Sequence, residues 1–352
     1  MASVIKTGRG FIQRTAELMK EAGLTGRAFV VTDSNVYAHF GQAVTESLVR
    51  GGYEPVINML NPGEQTKSLR SLEVLYDWLA ESRAERSDVI VALGGGVVGD
   101  LAGFLAATYL RGMSLVQVPT TLLAQVDSSI GGKTGVNHPK AKNLIGAFYQ
   151  ANLVVIDPGV LANLPAREFR GGLGEVVKYG VILDAELFSL IETKQAEILK
   201  RDTPVVDHIV ARCAHLKAQV VGEDERETGL RMILNFGHTI GHAIEAATNY
   251  EALLHGEAVA IGMSGAAQIA QATGKLDAVS CQRLQALLKT LGLPYAARGL
   301  AWERVRDAMS LDKKTRSGRI NWILPTAIGS VEICNDVPTD VVEQVLRAIL
   351  NA

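Results

Sequence analysis

Cysteine is scarce in this 352-residue chain: Cys213, Cys281 and Cys334 are an odd set with no CxxC pair. Their spacing excludes a disulfide framework and a thiolate zinc site, so any metal must take His and carboxylate ligands, and a reducing cytoplasm fits. Charge of one sign is lacking too. Thirty-five Lys and Arg against 37 Asp and Glu give a formal net charge of -2, which offers no electrostatic reason to expect nucleic acid. No hydrophobic run is long enough for a bilayer. The most apolar stretch, AVAIGMSGAAQIAQA from Ala258, is short, rich in small residues and interrupted by Ser and Gln, so it reads as a buried helix and no membrane is expected. The start, MASVIKTGRGFIQR, lacks the apolar core of a secretory signal. Internal repeats and low-complexity tracts are absent as well.

What is present describes an ordinary globular chain, 47% hydrophobic and 20% charged, long enough for two domains. Before residue 157, the β-rich runs AFVVTD (28–33), EPVINML (54–60), DVIVALGG (88–95), SLVQVPTT (114–121) and NLVVID (152–157) are separated mostly by helix-like segments. That alternation predicts an α/β N-terminal domain with a Rossmann-like parallel sheet. After Pro158, segments 184–201, 204–222, 238–250 and 256–273 carry helical periodicity, which predicts a mainly α-helical C-terminal domain. A late patch, RINWILPT (319–326) and GSVEIC (329–334), suggests a hairpin. DPGVLANLP (157–165) is the natural joint, dividing residues 1–157 from 158–352.

Three stretches carry chemistry. In VALGGGVVGDLAG, Gly94, Gly96 and Gly99 satisfy GxGxxG between a strand and a helix, where a diphosphate can approach the backbone at the helix's positive end. A tight strand-to-helix turn explains the same glycines. The motif follows the third β-rich run, and no acidic residue ends the next one, so ribose carboxylates would come from Asp33 or Glu64, each equally suited to capping a loop. PTTLLAQVDSSIGGKTGVNHPKAKNLIGAF (119–148) reads as a long irregular connection whose Lys133, Lys140 and Lys142 suit an anion, or as a solvated basic loop. In NFGHTIGHAIE, helical spacing puts His238, His242 and Glu245 on one face, an obvious metal triad with Glu175 and His255 in reserve. Satisfied core histidines are the plain alternative, and His39, His138, His208 and His215 stay with it.

GGGVVGD, VPTTLLAQVDSSIGGKTGVN, KNLIGAFYQ, GGLGEVVKYG, LNFGHTIGHAIE, LHGEAVAIGM and LDKK, in that order, resemble the 3-dehydroquinate synthase family, sugar-phosphate cyclases of the shikimate pathway. The likeness runs from about Asp33 to Lys314 and is weakest at both ends, where the start is short of the strand that usually opens the first domain. It implies an NAD-binding first domain, a metal- and substrate-binding second domain, and a homodimer. The implied reaction converts 3-deoxy-D-arabino-heptulosonate 7-phosphate to 3-dehydroquinate by transient oxidation, phosphate elimination, re-reduction and an intramolecular aldol step, with no net redox change.

The same likeness revises the triad from spacing. It assigns the metal, zinc or cobalt, to Glu175, His238 and His255, gives His242 to substrate and leaves Glu245 no ligand. Substrate phosphate is implied to meet Lys133, Asn143, His242 and Lys313, with Arg111 reaching from a neighbouring subunit. Arg231 and Lys217 are implied for the carboxylate; Asp127, Lys178 and Asn235 complete the substrate set. Cofactor residues by the same likeness are Asp33, Asn35, Glu64, Lys67, Gly95, Gly96, Val97, Val98, Gly99, Asp100, Thr120, Thr121, Lys133 and Lys142. A related cyclase of the deoxy-inosose synthase type and a metal-dependent polyol dehydrogenase are the nearest alternatives, and a non-catalytic NAD or metal module is the alternative of another class.

Overall fold

Six parallel strands form one sheet in the order β1-β8-β5-β4-β2-β3. They are β1 (Val4–Thr7), β2 (Ala28–Asp33), β3 (Pro55–Leu60), β4 (Val89–Gly94), β5 (Ser114–Pro119) and, after a hairpin of β6 (Lys133–His138) and β7 (Ala141–Phe148), β8 (Leu153–Ile156). The computed structural model describes residues 3–315 and 320–351, with backbone alone for 310–315. β4 and β8 are buried along their whole length and β2 along all but its last residue, as sheets covered on both faces require. Val30, Val91, Val116 and Val155 lie in the core beneath, with Met19 and Leu48 from flanking helices.

Sheet order explains where a ligand would go. β2 pairs with β3 on one side and β4 on the other, so the chain reverses its direction of progress across the sheet between β2 and β4. Carboxyl ends of strands at such a reversal open a crevice. Asp33 ends β2, and the glycine turn follows β4, which accounts for that turn's coming after the third β-rich run.

Three expectations change. The chain does have an opening strand: β1 pairs in parallel with β8, Ile5 opposite Val154. Four half-exposed residues at a sheet edge need little hydrophobic pattern, so VIKT does not stand out. Segment 119–148 is not an irregular loop. It contains a widened helical turn, Ala124–Ser128, and the β6/β7 hairpin, in which a Cβ on Gly135 would lie 2.5 Å from the Ile145 carbonyl oxygen. Glycines that read as loop are strand residues where two backbones meet closely. Segment 184–201 is also two helices, Ala185–Thr193 and Gln195–Leu199, parted at Lys194.

The chain divides into two compact units, Met1–Pro165 with Val210–Gly222, and Ala166–Ile209 with Glu223–Ala352. Asp157, at the expected joint, ties the turn that follows it to Ile12 within the first unit. Its carboxylate accepts from Ile12 N at 3.1 Å and Gly159 N at 2.8 Å. The second unit is mainly helical, with helices Ala166–Ile182, His238–Ala247 and His255–Ala272 and an antiparallel hairpin of β9 (Trp322–Ala327) and β10 (Ser330–Cys334). The apolar stretch from Ala258 lies in helix His255–Ala272. Among the described residues no helix is long and apolar enough to cross a membrane.

Candidate active-site residues

Helix Gly96–Thr108 begins at the glycine turn, and its N-cap, Gly95, supplies no side-chain cap, so the first-turn amides face outward unsatisfied by it. Two of the glycines are required by packing: a Cβ on Gly94 would meet Val98 at 2.6 Å and one on Gly99 would meet Gln117 at 2.8 Å. Gly95 and Gly96 are less confined, with Thr121 and Ser128 the nearest side chains. Around the turn, the buried hydroxyls Thr120 Oγ1 and Ser128 Oγ have no hydrogen-bond partner among the described residues. Exposed amides, orphaned hydroxyls and glycine clearance fit a diphosphate. At the neighbouring strand end Asp33 caps its own helix, accepting from Asn35 N at 2.9 Å and Val36 N at 3.0 Å. Val97 and Val98 are the next residues of the Gly96 helix.

Glu64, Lys67, Asp100, Lys142 and Asn143 gather in the same unit. Lys67 pairs with Asp100 and donates to Asn143 Oδ1 at 2.5 Å; Glu64 lies 3.8 Å from Lys142. Burial pushes the Asp100 carboxyl up, against the pull of the Lys67 ammonium. Glu64 also accepts from Asn137, the last residue of the quoted VPTTLLAQVDSSIGGKTGVN, to which the sequence assigns no role. Asp127 and Lys217 satisfy each other, with Lys217 Nζ 2.9 Å from Asp127 Oδ2 and donating to its carbonyl at 2.7 Å. Lys133 is exposed on β6. Arg111 is exposed on a left-handed corner: Leu110 has φ 49° and Arg111 φ 64°. Such non-glycine conformations cost about 1–3 kcal/mol each and persist where surroundings impose them.

In the second unit three helices converge on Glu175. Its carboxylate is fully buried; Oε2 pairs with Lys178, while Oε1 has no hydrogen-bond donor among the described residues. Oε1 lies 3.6 Å from His238 Nε2 and 3.7 Å from His255 Nε2. The other ring nitrogens are occupied: His238 Nδ1 faces the Phe236 carbonyl at 3.1 Å and His255 Nδ1 faces Glu245 Oε2 at 3.4 Å. Nδ1–H donation leaves each Nε2 lone pair toward Glu175. Burial holds the His238 imidazole well below its ordinary value, and the Lys178 ammonium, His242 and His255 add to this, so it is a neutral donor. One buried carboxylate oxygen and two imidazole nitrogens suit a divalent cation.

Glycine lets the backbones come this close. A Cβ on Gly256, next to His255, would lie 1.9 Å from the Gly171 carbonyl oxygen, and one on Gly262 would lie 1.8 Å from that of Gly237, next to His238. The spacing triad of His238, His242 and Glu245 is not among the groups whose ligand atoms meet. Those are Glu175, His238 and His255, and a second set of His242, Glu245 and His255. His242 is exposed, its ring 5.2 Å from that of His238.

Arg231 is buried and donates to the Glu225 carbonyl at 2.5 Å. Its loop is tied by Asp224, which accepts from Thr228 N, Gly229 N and Arg231 N; these backbone donors hold its carboxyl down at about 2. Asn235 donates to Glu227 at 2.6 Å. Asp224, Glu227, Asn137 and Ser128 escape sequence reasoning because their roles depend on local geometry, although Ser128 and Asn137 lie inside a quoted motif. Lys313 is on helix Trp302–Thr315, but its side chain lies outside the described residues.

Known proteins share this architecture. The family model described as 3-dehydroquinate synthase N-terminal matches residues 57–171, and that described as 3-dehydroquinate synthase C-terminal matches residues 172–315. The 3-dehydroquinate synthase of Nostoc punctiforme is 50% identical over 341 residues, 96% of this chain and 94% of the relative. A solved 2-epi-5-epi-valiolone synthase from Streptomyces hygroscopicus subsp. jinggangensis, with NAD+ and Zn2+ bound, superposes with a TM-score of 0.92 at 29% identity, covering 99% of this chain and 97% of that one. A 2-deoxy-scyllo-inosose synthase complexed with carbaglucose-6-phosphate, NAD+ and Co2+ gives 0.89 at 26% identity over 98% and 96%. The chain belongs to the 3-dehydroquinate synthase family.

Proposed function

We propose that the chain is a carbon–oxygen lyase of the shikimate pathway, toward chorismate and the aromatic amino acids. It converts 3-deoxy-D-arabino-heptulosonate 7-phosphate to 3-dehydroquinate and phosphate. The observation that carries the reading is the buried Glu175 Oε1, without a donor among the described residues and facing two imidazole nitrogens at 3.6 and 3.7 Å. NAD bound by the first unit supplies a reversible hydride acceptor, and zinc or cobalt held by Glu175, His238 and His255 supplies a Lewis acid that acidifies a substrate hydroxyl.

The chain's own residues bind and orient. Lys133, Asn143, His242 and Lys313, with Arg111 of the partner subunit, hold the phosphate by charge-assisted hydrogen bonds. Arg231 offers the carboxylate a fork, joined by Lys217, and Asp127, Lys178 and Asn235 meet hydroxyls. Lys178 also offsets the charge of the buried Glu175. Toward the nucleotide, Gly95, Gly96, Val97, Val98 and Gly99 present helix-start amides, and Thr120 and Thr121 line the same turn. Asp33, Asn35, Glu64, Lys67, Asp100, Lys133 and Lys142 complete that face. The family resemblance implies that much of the proton transfer falls to the substrate's own phosphate, so no single side chain is assigned as base.

A homodimer follows from the use of Arg111 across subunits, and exposed Leu110, Leu144 and Phe148 in the same unit support it. The three cysteines are buried and form no disulfide among the described residues, in keeping with a cytoplasmic enzyme. The test is turnover of the heptulosonate phosphate with NAD and zinc, watching reduced-cofactor absorbance. Product without accumulating NADH is expected; steady NADH accumulation indicates a polyol dehydrogenase instead, and preference for another sugar phosphate indicates a related cyclase.

A further inference from the structure

We propose that Asn137 is a positioning residue that locks the nucleotide-side Glu64 and Lys67 to the phosphate-side Asn143, an inference that rests on the assignments above. The hairpin is irregular at this point: Val136 pairs with Ile145 and His138 with Ala141, so Asn137 of β6 stands opposite residues 142–144 of β7 and falls out of the ladder. The extra residues make β7 the bulged strand, and the ladder is disrupted around them, which leaves the Asn137 main chain unpaired within the hairpin. The released Asn137 amide donates to the Lys67 carbonyl at 2.9 Å, and Asn137 forms an isolated parallel bridge with Ser68. The bulge thereby stitches the hairpin to the segment that carries Glu64 and Lys67.

Both ends of the Asn137 side chain are then used. Nδ2 donates to Glu64 Oε1 at 2.8 Å, and Oδ1 accepts from Asn143 N at 3.0 Å. A carboxylate accepts and a backbone N–H donates, so the two contacts fix which way the amide faces. Asn143 itself is held with φ 53°, and its own Oδ1 accepts from Lys67. Three residues assigned to ligands therefore meet at Asn137, Glu64 and Asn143 through its side-chain amide and Lys67 through its backbone N–H. Aspartate would set a second carboxylate against Glu64, glutamine would overreach, and alanine would release both ends.

The variants Asn137→Asp and Asn137→Ala separate the two ends. Losing a hydrogen bond to a charged group corresponds to roughly a 10- to 100-fold change in affinity. Calorimetry with NAD is expected to show a loss of that order in both variants. KM for the heptulosonate phosphate is expected to rise clearly in Asn137→Ala alone, because Asn137→Asp keeps the acceptor for Asn143. Hydrogen exchange at the Asn143 amide reads the joint without any ligand, and it should quicken in Asn137→Ala and stay slow in Asn137→Asp. Unaltered NAD affinity and KM in Asn137→Ala, in an enzyme whose wild type binds and turns over, would overturn the inference alone. Unaltered exchange at Asn143 would overturn it even if the proposed reaction itself failed.

Discussion

Gly256 stands so close to Gly171 that a Cβ on Gly256 would lie 1.9 Å from the Gly171 carbonyl oxygen. That contact brings the helix of Glu175 against the start of the helix that opens with His255, and the proposed metal cluster depends on it. Gly256→Ala forces two backbones apart, and overpacking of an unyielding contact costs about 3 kcal/mol. The expected result is a lowered melting temperature together with lost zinc, measured by calorimetry and by metal analysis of the purified protein. Wild-type stability and full zinc would show that the crossing can relax.

His255→Ala removes one of the three proposed ligands. Zinc affinity should fall by more than the roughly 10–100-fold that loss of a supporting outer partner costs, and activity should go with it. NAD binding should persist, because the cofactor residues belong to the first unit. Retained stoichiometric zinc in the variant would remove His255 from the ligand set.

Glu245 neither needs nor has a place in that set, yet it faces the far nitrogen of His255 at 3.4 Å. Much of this was open to sequence reasoning and some was not. The long parallel strands are legible because burial on both faces demands continuous apolar runs such as VIVALG. β1 is not, because VIKT is short and half-exposed. Helical spacing correctly places His238 and His242 on one helix, but Glu175 and His255 come from two other helices, and no periodicity within one segment reports such a meeting. Family resemblance supplied them. Glycines beside the ligands in GGLGE, FGH and HGE were an available signal of close backbone crossing. The bulge opposite Asn137 has no compositional mark at all.

Asp224 gives the pH dependence. Its carboxyl is held at about 2 in the folded chain against an ordinary 3.8, by the backbone donors of the loop that carries Arg231. A depressed carboxyl contributes stability that is complete above the ordinary value and lost as pH falls toward the folded one. Asp224→Asn should therefore melt below wild type at pH 5, with the gap closing between pH 4 and pH 2. Thermal melts across that window check it; a constant gap would mean that the carboxylate charge is not what holds the loop.

Arg111→Ala addresses the subunit question. Substrate KM should rise roughly 10- to 100-fold, the scale of a lost charged hydrogen bond, with NAD affinity little changed. Mixing this variant with His255→Ala should restore partial activity, because one of the two sites in a mixed dimer then has both residues intact. No recovery in mixed dimers would confine Arg111 to its own subunit.

The most direct measurement follows phosphate and 3-dehydroquinate together from the heptulosonate phosphate, before chelation, after chelation and after zinc is returned. Equal release of both products, abolished by complete removal of metal and restored by zinc, is the predicted result. Undiminished turnover in fully metal-free protein, or phosphate release without 3-dehydroquinate, would contradict the assignment.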